Sequence, residues 1–581
     1  MRDNMVDVVM GHASRSPGRT AAVFVHDDDG DRAHETSITY GELDRAARAR
    51  AAWLRERCSS GDRALLLYPS GLEFIRSLLG CLYAGVVPVP APMPDGRPHH
   101  LKEATGIALD VDPRMVLTQS SHLGTVADWA GQQGLDRILC TATDTVTGSP
   151  DQWCRPLISR EPFALLRNSW GAGAEPYGVM IGHDNLVHAL DSHSRALGLT
   201  PDSVFANWLP IQRGTGLVES LLTALYAGTT AVLMSPETFL REPFLWLRTM
   251  SRWRAEVGIA PGFAYDLCAA EVTLEQAAAL DLSGWRHACT LDTPAGAGTR
   301  TRFEERFASS GFRPSAWRAG YGSAGTTGLV AVSAPGTTAS IMKADRRALE
   351  ADVLTRGTDA DAPRLVGLGS PAGVDVRVVD PHTFRVVPDG RIGEIWLRGR
   401  SLGRGFWNKQ DATVATFRAV TADGQGGFLR TGDLGAVLDG EIFMSGRLED
   451  VLVLQGRRLY PQHLEHFIES LDKGLSGLAG SVFTVAVPGQ EVVAVHECEP
   501  AASSMENLSD LAVTIREAIA GSHGIAMGGL VLVRPGDVPR TDTGGVSRAR
   551  VRELFIHDAL EPLYEDLHPD LRRTFRPHDV L

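Results

Sequence analysis

Between Tyr40 and Pro90 the chain alternates helical apolar spacing with short apolar runs, and no other stretch constrains the fold as tightly. YGELDRAARARAAWLRER (residues 40–57) sets apolar side chains at helical spacing. Gly61-Asp62 then breaks the pattern, and Ala64-Leu65-Leu66-Leu67-Tyr68 reads as a strand. A second apolar helix over Leu72 to Ala84 leads into the strand Val86-Val87-Pro88-Val89-Pro90. Parallel strands need a crossover between them, so this βαβ rhythm predicts a largely parallel sheet covered by helices.

A different grammar appears at Thr431 to Pro461, TGDLGAVLDGEIFMSGRLEDVLVLQGRRLYP. It opens with a Thr-Gly-Asp turn expected to expose Asp433. Alternating Leu438, Ile442 and Met444 then predict a hairpin, ending at Gly446-Arg447. A strand-like Val451-Leu452-Val453-Leu454 follows, before Gly456 and Pro461. Glu449 and Asp450 lie between the two apolar runs, where a hinge is expected. The fold class is therefore α/β: a large N-terminal domain of helix-covered sheets over residues 1–447, then a smaller, mobile C-terminal α+β domain over 448–581, with the hinge near Glu449.

Composition excludes several functions. The chain has 581 residues, 43% hydrophobic and 22% charged, enough for at least two domains with sizeable cores. Its net charge of -13 comes from 70 acidic and 57 basic residues without a basic block, so no nucleic acid partner is expected. Seven cysteines without CxxC spacing argue against a zinc site or a disulfide framework and fit the cytoplasm. The opening MRDNMVDVVMGHASRSPGRT lacks the apolar core of a secretory signal, and no run is long enough to span a membrane. Ser333 to Ser340 and Thr358 to Ala362, rich in small and polar residues, are expected as surface loops, and the charged tail from Arg550 as a terminal helix.

TGDLG followed by GRLED and a Gly...Tyr-Pro turn resembles the joint of acyl-adenylate-forming ligases, specifically fatty acyl-AMP ligases. The resemblance extends through GDRALLLYPSGLEFIRSLLGCLYAGVVPVPAPMP, Trp208-Leu209-Pro210, Leu233 to Cys268, GFRPSAWRAGYG, GEIWLRG and GRGFWN. It includes ADRRALEADVL (Ala344 to Leu354), which corresponds to the segment separating these ligases from acyl-CoA ligases. The family joins a carboxylate to the α-phosphate of ATP and passes the acyl group to a carrier, which implies an acyl chain or acyl carrier protein as partner. Nucleoside-binding roles fall on Tyr321 and Gly322 near the adenine, Asp433 at the ribose hydroxyls and Arg447 beside it. Read without the family, Tyr321 is a core aromatic, Asp433 a turn-stabilising aspartate and Arg447 a surface ion-pair partner.

The same resemblance locates what is missing. The phosphate loop, roughly Thr-Ser-Gly-Ser-Thr-Gly-x-Pro-Lys-Gly in the family, reads Ser169-Trp170-Gly171-Ala172-Gly173-Ala174-Glu175-Pro176-Tyr177-Gly178. Ala172 and Gly173 replace hydroxyls and Tyr177 replaces the lysine, while Trp170 and Glu175 add bulk and negative charge where polyphosphate would lie. Arg213 stands at the family's histidine in QRGTG (212–216), Asp292 in the adenine turn Thr290-Leu291-Asp292-Thr293-Pro294, and Gly325 at the magnesium-binding glutamate. Gly545 stands at the small domain's lysine in PRTDTGGVSRAR. No metal site is expected and magnesium binding is in doubt. No cofactor is required, and AMP or another adenosine-containing ligand stays open.

Three functions follow from these substitutions. One is a repurposed enzyme acting on a carrier-tethered acyl chain in lipid or polyketide/peptide natural-product biosynthesis, with Arg213, Asp292 and Tyr177 as candidate catalytic groups. The second is a non-catalytic acyl- or nucleoside-binding scaffold. The third is an active fatty acyl-AMP ligase. His183 and Cys289 are read as packing residues rather than as base and nucleophile.

Overall fold

A computed structural model describes residues 4–26, 34–155, 163–170, 176–291, 296–323, 325–334, 336, 339–359, 362–454, 456–487, 489–499, 508–540 and 545–576. The βαβ expectation for the first stretch is met within a residue or two at each boundary. The helix runs Tyr40–Arg55, closed at its start by a capping box in which Thr39 and Glu42 satisfy each other's backbone N–H groups. The strand Arg63–Leu67 lies parallel to Val87–Ala91 and to Met115–Thr118, which in turn pairs in parallel with Leu139–Ala142.

A larger, nine-stranded sheet forms the other half of the N-terminal unit. Six neighbouring strands, Trp317–Gly322, His287–Thr290, Val257–Ile259, Val204–Asn207, Thr230–Leu233 and Thr20–His26, are mutually parallel. Antiparallel partners close both edges: His34–Thr39 on one side, Leu329–Val332 and then Ser370–Pro371 on the other. The parallel strands are largely buried, and even their polar members Asn207, His287 and Arg318 are covered. In such a sheet ligands gather outside the C-terminal strand ends, which here are Asn207, Ile259, Thr290 and Gly322.

The hairpin predicted around Leu438 is present as Leu429–Leu438 against Glu441–Arg447, in a four-stranded antiparallel sheet. One expectation there fails: Thr431-Gly432-Asp433 is not an exposing turn. It lies inside the first strand, with Asp433 opposite Arg447, and Asp433 is only 8% exposed. Gly432 takes the left-handed conformation (φ +73°) where the register with Gly393–Gly399 shifts between Leu434 and Arg430, as in a bulge. Ser333 is likewise buried rather than on a surface loop, because its Oγ accepts the Ala319 N–H at 3.1 Å.

Beyond Arg447 a 3-10 turn, Leu448–Asp450, precedes a new pair of cores on either face of one sheet. That sheet orders Gly480–Val487, Gly489–Glu497, Met527–Val533 and Tyr564–Leu567, and mixes parallel with antiparallel pairing. The expected tail helix is Arg548–Ile556, with Val551 and Phe555 buried. The chain does not end there: it returns as the strand Tyr564–Leu567 and the helix Pro569–Phe575. Residues 344–354 grip the joint: Arg457 pairs with Glu350 at 2.7 Å and Arg458 with Asp352 at 3.0 Å, and Tyr460 packs among Leu349, Leu354 and Leu365. No helix among the described residues is long and apolar enough to cross a membrane.

Candidate functional site

Three of the four nucleoside-assigned residues make direct side-chain contact. Tyr321, near the end of its parallel strand, donates its hydroxyl to Asp433 Oδ2 at 2.8 Å, and Arg447 Nε lies 3.5 Å from Asp433 Oδ1. The strand register sets the second contact, and the meeting of two sheets sets the first. Thr431 orients the carboxylate's backbone: its Oγ accepts the Asp433 N–H at 3.0 Å and donates to the Ile395 carbonyl at 2.7 Å. Burial, and then the Asp433 carboxylate, push the Tyr321 hydroxyl well above its ordinary pKa, so it stays protonated as a donor. Its ring is only 3% exposed and sits within the main core, as the core-aromatic reading expects. Gly322 follows at a register shift, where a Cβ would meet the Gly328 carbonyl at 2.9 Å.

The phosphate side is built on the hairpin Phe163–Trp170 with Pro176–Gly182. Ala172 and Gly173, like Asp292 in the adenine turn, lie outside the described residues. Tyr177 is half-buried, 5.3 Å from Phe406 between ring centroids, and Lys409 Nζ lies 4.7 Å over its ring. A cation is therefore present beside the position of the lost lysine, contributed from the far side of the sequence. Arg213 is only 17% exposed at its side chain and donates to both carboxylate oxygens of Glu103 at 2.8 Å. Gln212 beside it is fixed by its donation to the Tyr68 carbonyl at 2.9 Å. Glu103 comes from the helix Pro98–Val111, and with Arg167, Asn168, Pro90 and Leu217 this pair lines a small cavity. Arg167 donates to the carbonyl of Thr326, next to Gly325, at 3.1 Å.

Position 325 tests whether a protein-held magnesium ion fits. A Cβ added at Gly325 would come within 2.8 Å of Leu429 Cδ1 and 2.9 Å of its Cδ2, and Leu429 is itself 1% exposed. A side chain there would require the terminal methyl groups of Leu429 to shift. Among the described residues, no three His, Cys, Asp or Glu side chains are gathered so as to hold a metal. Gly325 itself offers no carboxylate to a metal ion. Gly545 lies in the small domain just before Val546, whose backbone pairs with Arg540.

The two residues set aside as packing groups behave as such. Burial, with the Arg404 guanidinium beside it, pushes the His183 imidazole down to about 4, leaving it a poor proton acceptor near neutrality. Burial pushes the Cys289 thiol up to about 12, far from a reactive thiolate. Sequence reasoning missed Glu103, Lys409 and Arg167. None lies in a motif, and only an acidic residue within the apolar pattern of the helix Pro98–Val111 signalled that Glu103 needed a partner.

Comparison with known proteins follows these outlines. Residues 10–407 match the family model of AMP-binding enzymes. A medium-chain-fatty-acid–[acyl-carrier-protein] ligase, JamA, from Moorena producens is 34% identical over 96% of both chains. A 4-hydroxyphenylalkanoate adenylyltransferase from Mycobacterium tuberculosis is 31% identical over 95% of this chain and 92% of its own. Among solved structures, the fatty acyl-adenylate ligase from L. pneumophila in complex with acyl adenylate and pyrophosphate superposes with a TM-score of 0.74 at 27% identity, covering 97% of this chain and 98% of that one.

Proposed function

Because the chain belongs to the AMP-binding enzymes, in their fatty acyl-AMP ligase branch, we propose that it handles an acyl chain bound for an acyl carrier protein while its nucleotide site has lost the triphosphate half of adenylation. The observation that supports this is Gly325, which offers no carboxylate where the resemblance places a magnesium-binding glutamate and has Leu429 packed against it. Magnesium, when bound, neutralises the phosphates of the leaving pyrophosphate; here no side chain at that position can hold it. Tyr177 and Gly545 remove the two lysines from the positions the resemblance assigns them. Losing one such electrostatic group costs roughly 3–4 kcal/mol of transition-state stabilisation, and groups that act as a unit do not add, so no summed figure applies.

The chemistry left to the chain's own residues is recognition. Asp433 and Arg447 present an acceptor and a donor to a ribose, and the Glu103–Arg213 pair gives the cavity beneath Asn168 a polar end. Arg213, Tyr177 and Asp292 are the polar groups from which a repurposed reaction on a carrier-tethered chain would draw, in cytoplasmic lipid or natural-product assembly. A purely binding role uses the same contacts without them.

An active fatty acyl-AMP ligase is the second reading, and the likeness to named ligases over nearly the whole length supports it. The activities printed for those relatives favour retained ligation, and none of them favours its loss. Fatty-acid-dependent exchange of pyrophosphate into ATP separates the two. No exchange above background is expected with medium-chain fatty acids, ATP and magnesium, and none after Gly545→Lys alone. Exchange that a chelator abolishes would establish the active ligase.

A further inference from the structure

The small domain brings a cation to the functional edge of the large sheet from a position other than 545. Arg540 stands at the neck of the loop that carries Gly545: it pairs antiparallel with Val546, and the Ser547 N–H donates to the Pro539 carbonyl at 2.8 Å. This neck is mounted on Glu497, whose carboxylate is 1% exposed at the residue level. Glu497 accepts the N–H groups of Gly536 at 2.9 Å, Val538 at 3.1 Å and Ala479 at 3.1 Å, and lies 3.8 Å from the Arg540 guanidinium. Three backbone donors make Glu497 a fixed point, so the base of the arginine is held by the fold of its own domain.

From that mount the guanidinium crosses to the large domain and lies 5.5 Å from the ring centroid of Phe263. Phe263 is in the first turn of the helix Gly262–Glu271, just after the strand Val257–Ile259. That strand and Trp317–Gly322 flank His287–Thr290 in parallel, so the ends carrying Phe263 and Tyr321 are two strand spacings apart, roughly 10 Å. The arginine therefore reaches the same sheet edge as the Tyr321–Asp433 pair. A guanidinium can lay its face on an aromatic ring and still direct N–H groups at an anion from its rim.

We propose that Arg540 is a specificity-determining residue of the nucleotide site: it is the small domain's phosphate-facing cation, and it recognises the single phosphate of an adenosine monophosphate ester such as AMP or an acyl adenylate. This rests on the reading that Tyr321, Asp433 and Arg447 bind the nucleoside.

Calorimetric titration of the full chain with AMP and with adenosine tests it in the wild type, Arg540→Gln, Arg540→Lys and Asp433→Ala. Wild type is expected to prefer AMP over adenosine by about 10-fold, the size of one charge-assisted contact. Arg540→Gln should erase that preference while leaving adenosine affinity unchanged, and Arg540→Lys should keep part of it. Asp433→Ala should weaken both ligands together. A preference for AMP that survives in Arg540→Gln overturns the role of Arg540 and leaves the nucleoside edge standing. A wild type that binds neither ligand overturns the nucleoside edge, and the role of Arg540 with it. Loss of adenosine binding in Arg540→Gln, matched by a lower melting temperature, would mean the residue only holds the domains together, and also overturns the proposal.

Discussion

The two halves of the proposed site differ in how their side chains are engaged. At the nucleoside edge, residues more than a hundred positions apart still converge: Tyr321 on Asp433 at 2.8 Å and Arg447 on the same carboxylate at 3.5 Å. At the phosphate side the groups have turned to one another. Leu429 packs on Gly325, Arg213 is bound by Glu103, and Lys409 lies over Tyr177. Different elements frame the two halves: the end of the parallel strand Trp317–Gly322 meets the antiparallel pair Leu429–Leu438 and Glu441–Arg447 at one, and the hairpin Phe163–Trp170 with Pro176–Gly182 carries the other.

The comparison breaks most readily at Arg213. If that arginine serves structure, Arg213→Gln leaves a buried carboxylate without its ion pair and should cost about 3–5 kcal/mol in urea unfolding. Adding Glu103→Gln should recover most of the loss. A cost below about 1 kcal/mol would mean that the pair contributes little to stability and that Arg213 is available to a substrate. Position 325 sharpens the contrast. Gly325→Glu should destabilise by about 2–3 kcal/mol, because it overpacks against Leu429 and buries a charge, and Leu429→Ala in the same chain should relieve the steric part. Full stability together with new magnesium-dependent ATP binding would show that this half lacks only a side chain. The smallest effect is expected at the nucleoside edge, where Tyr321→Phe removes one hydrogen bond to a carboxylate and should cost about 1.5–2 kcal/mol.

How much of this was legible before the coordinates divides along the same line. The βαβ units and the hairpin at Leu438 announce themselves through local periodicity and turn residues, which depend on neighbours in sequence. Asp433 misleads because Thr-Gly-Asp is turn chemistry in isolation. Its burial comes from pairing with Arg447 across the hairpin and from Tyr321 on another sheet, and neither is a local property. The losses at Gly325 and Tyr177 can be read from the resemblance, but their packing consequences cannot. Leu429 and Lys409 reach those positions from more than a hundred residues further along the chain, and no spacing rule connects them. Asp292, Ala172 and Gly173 fall outside the described residues, so the adenine turn and the phosphate loop are known from sequence alone.

The most direct measurement of the split between the two halves is the relative affinity of AMP and ATP for the wild-type chain, titrated calorimetrically in the presence of magnesium. With the proposed ribose contact at Asp433 and no carboxylate at 325, AMP is predicted to bind more tightly than ATP, and Asp433→Ala is predicted to weaken both. ATP binding more tightly than AMP, with the advantage lost on chelating magnesium, would contradict the loss of the triphosphate half and return the protein to the ligases it resembles.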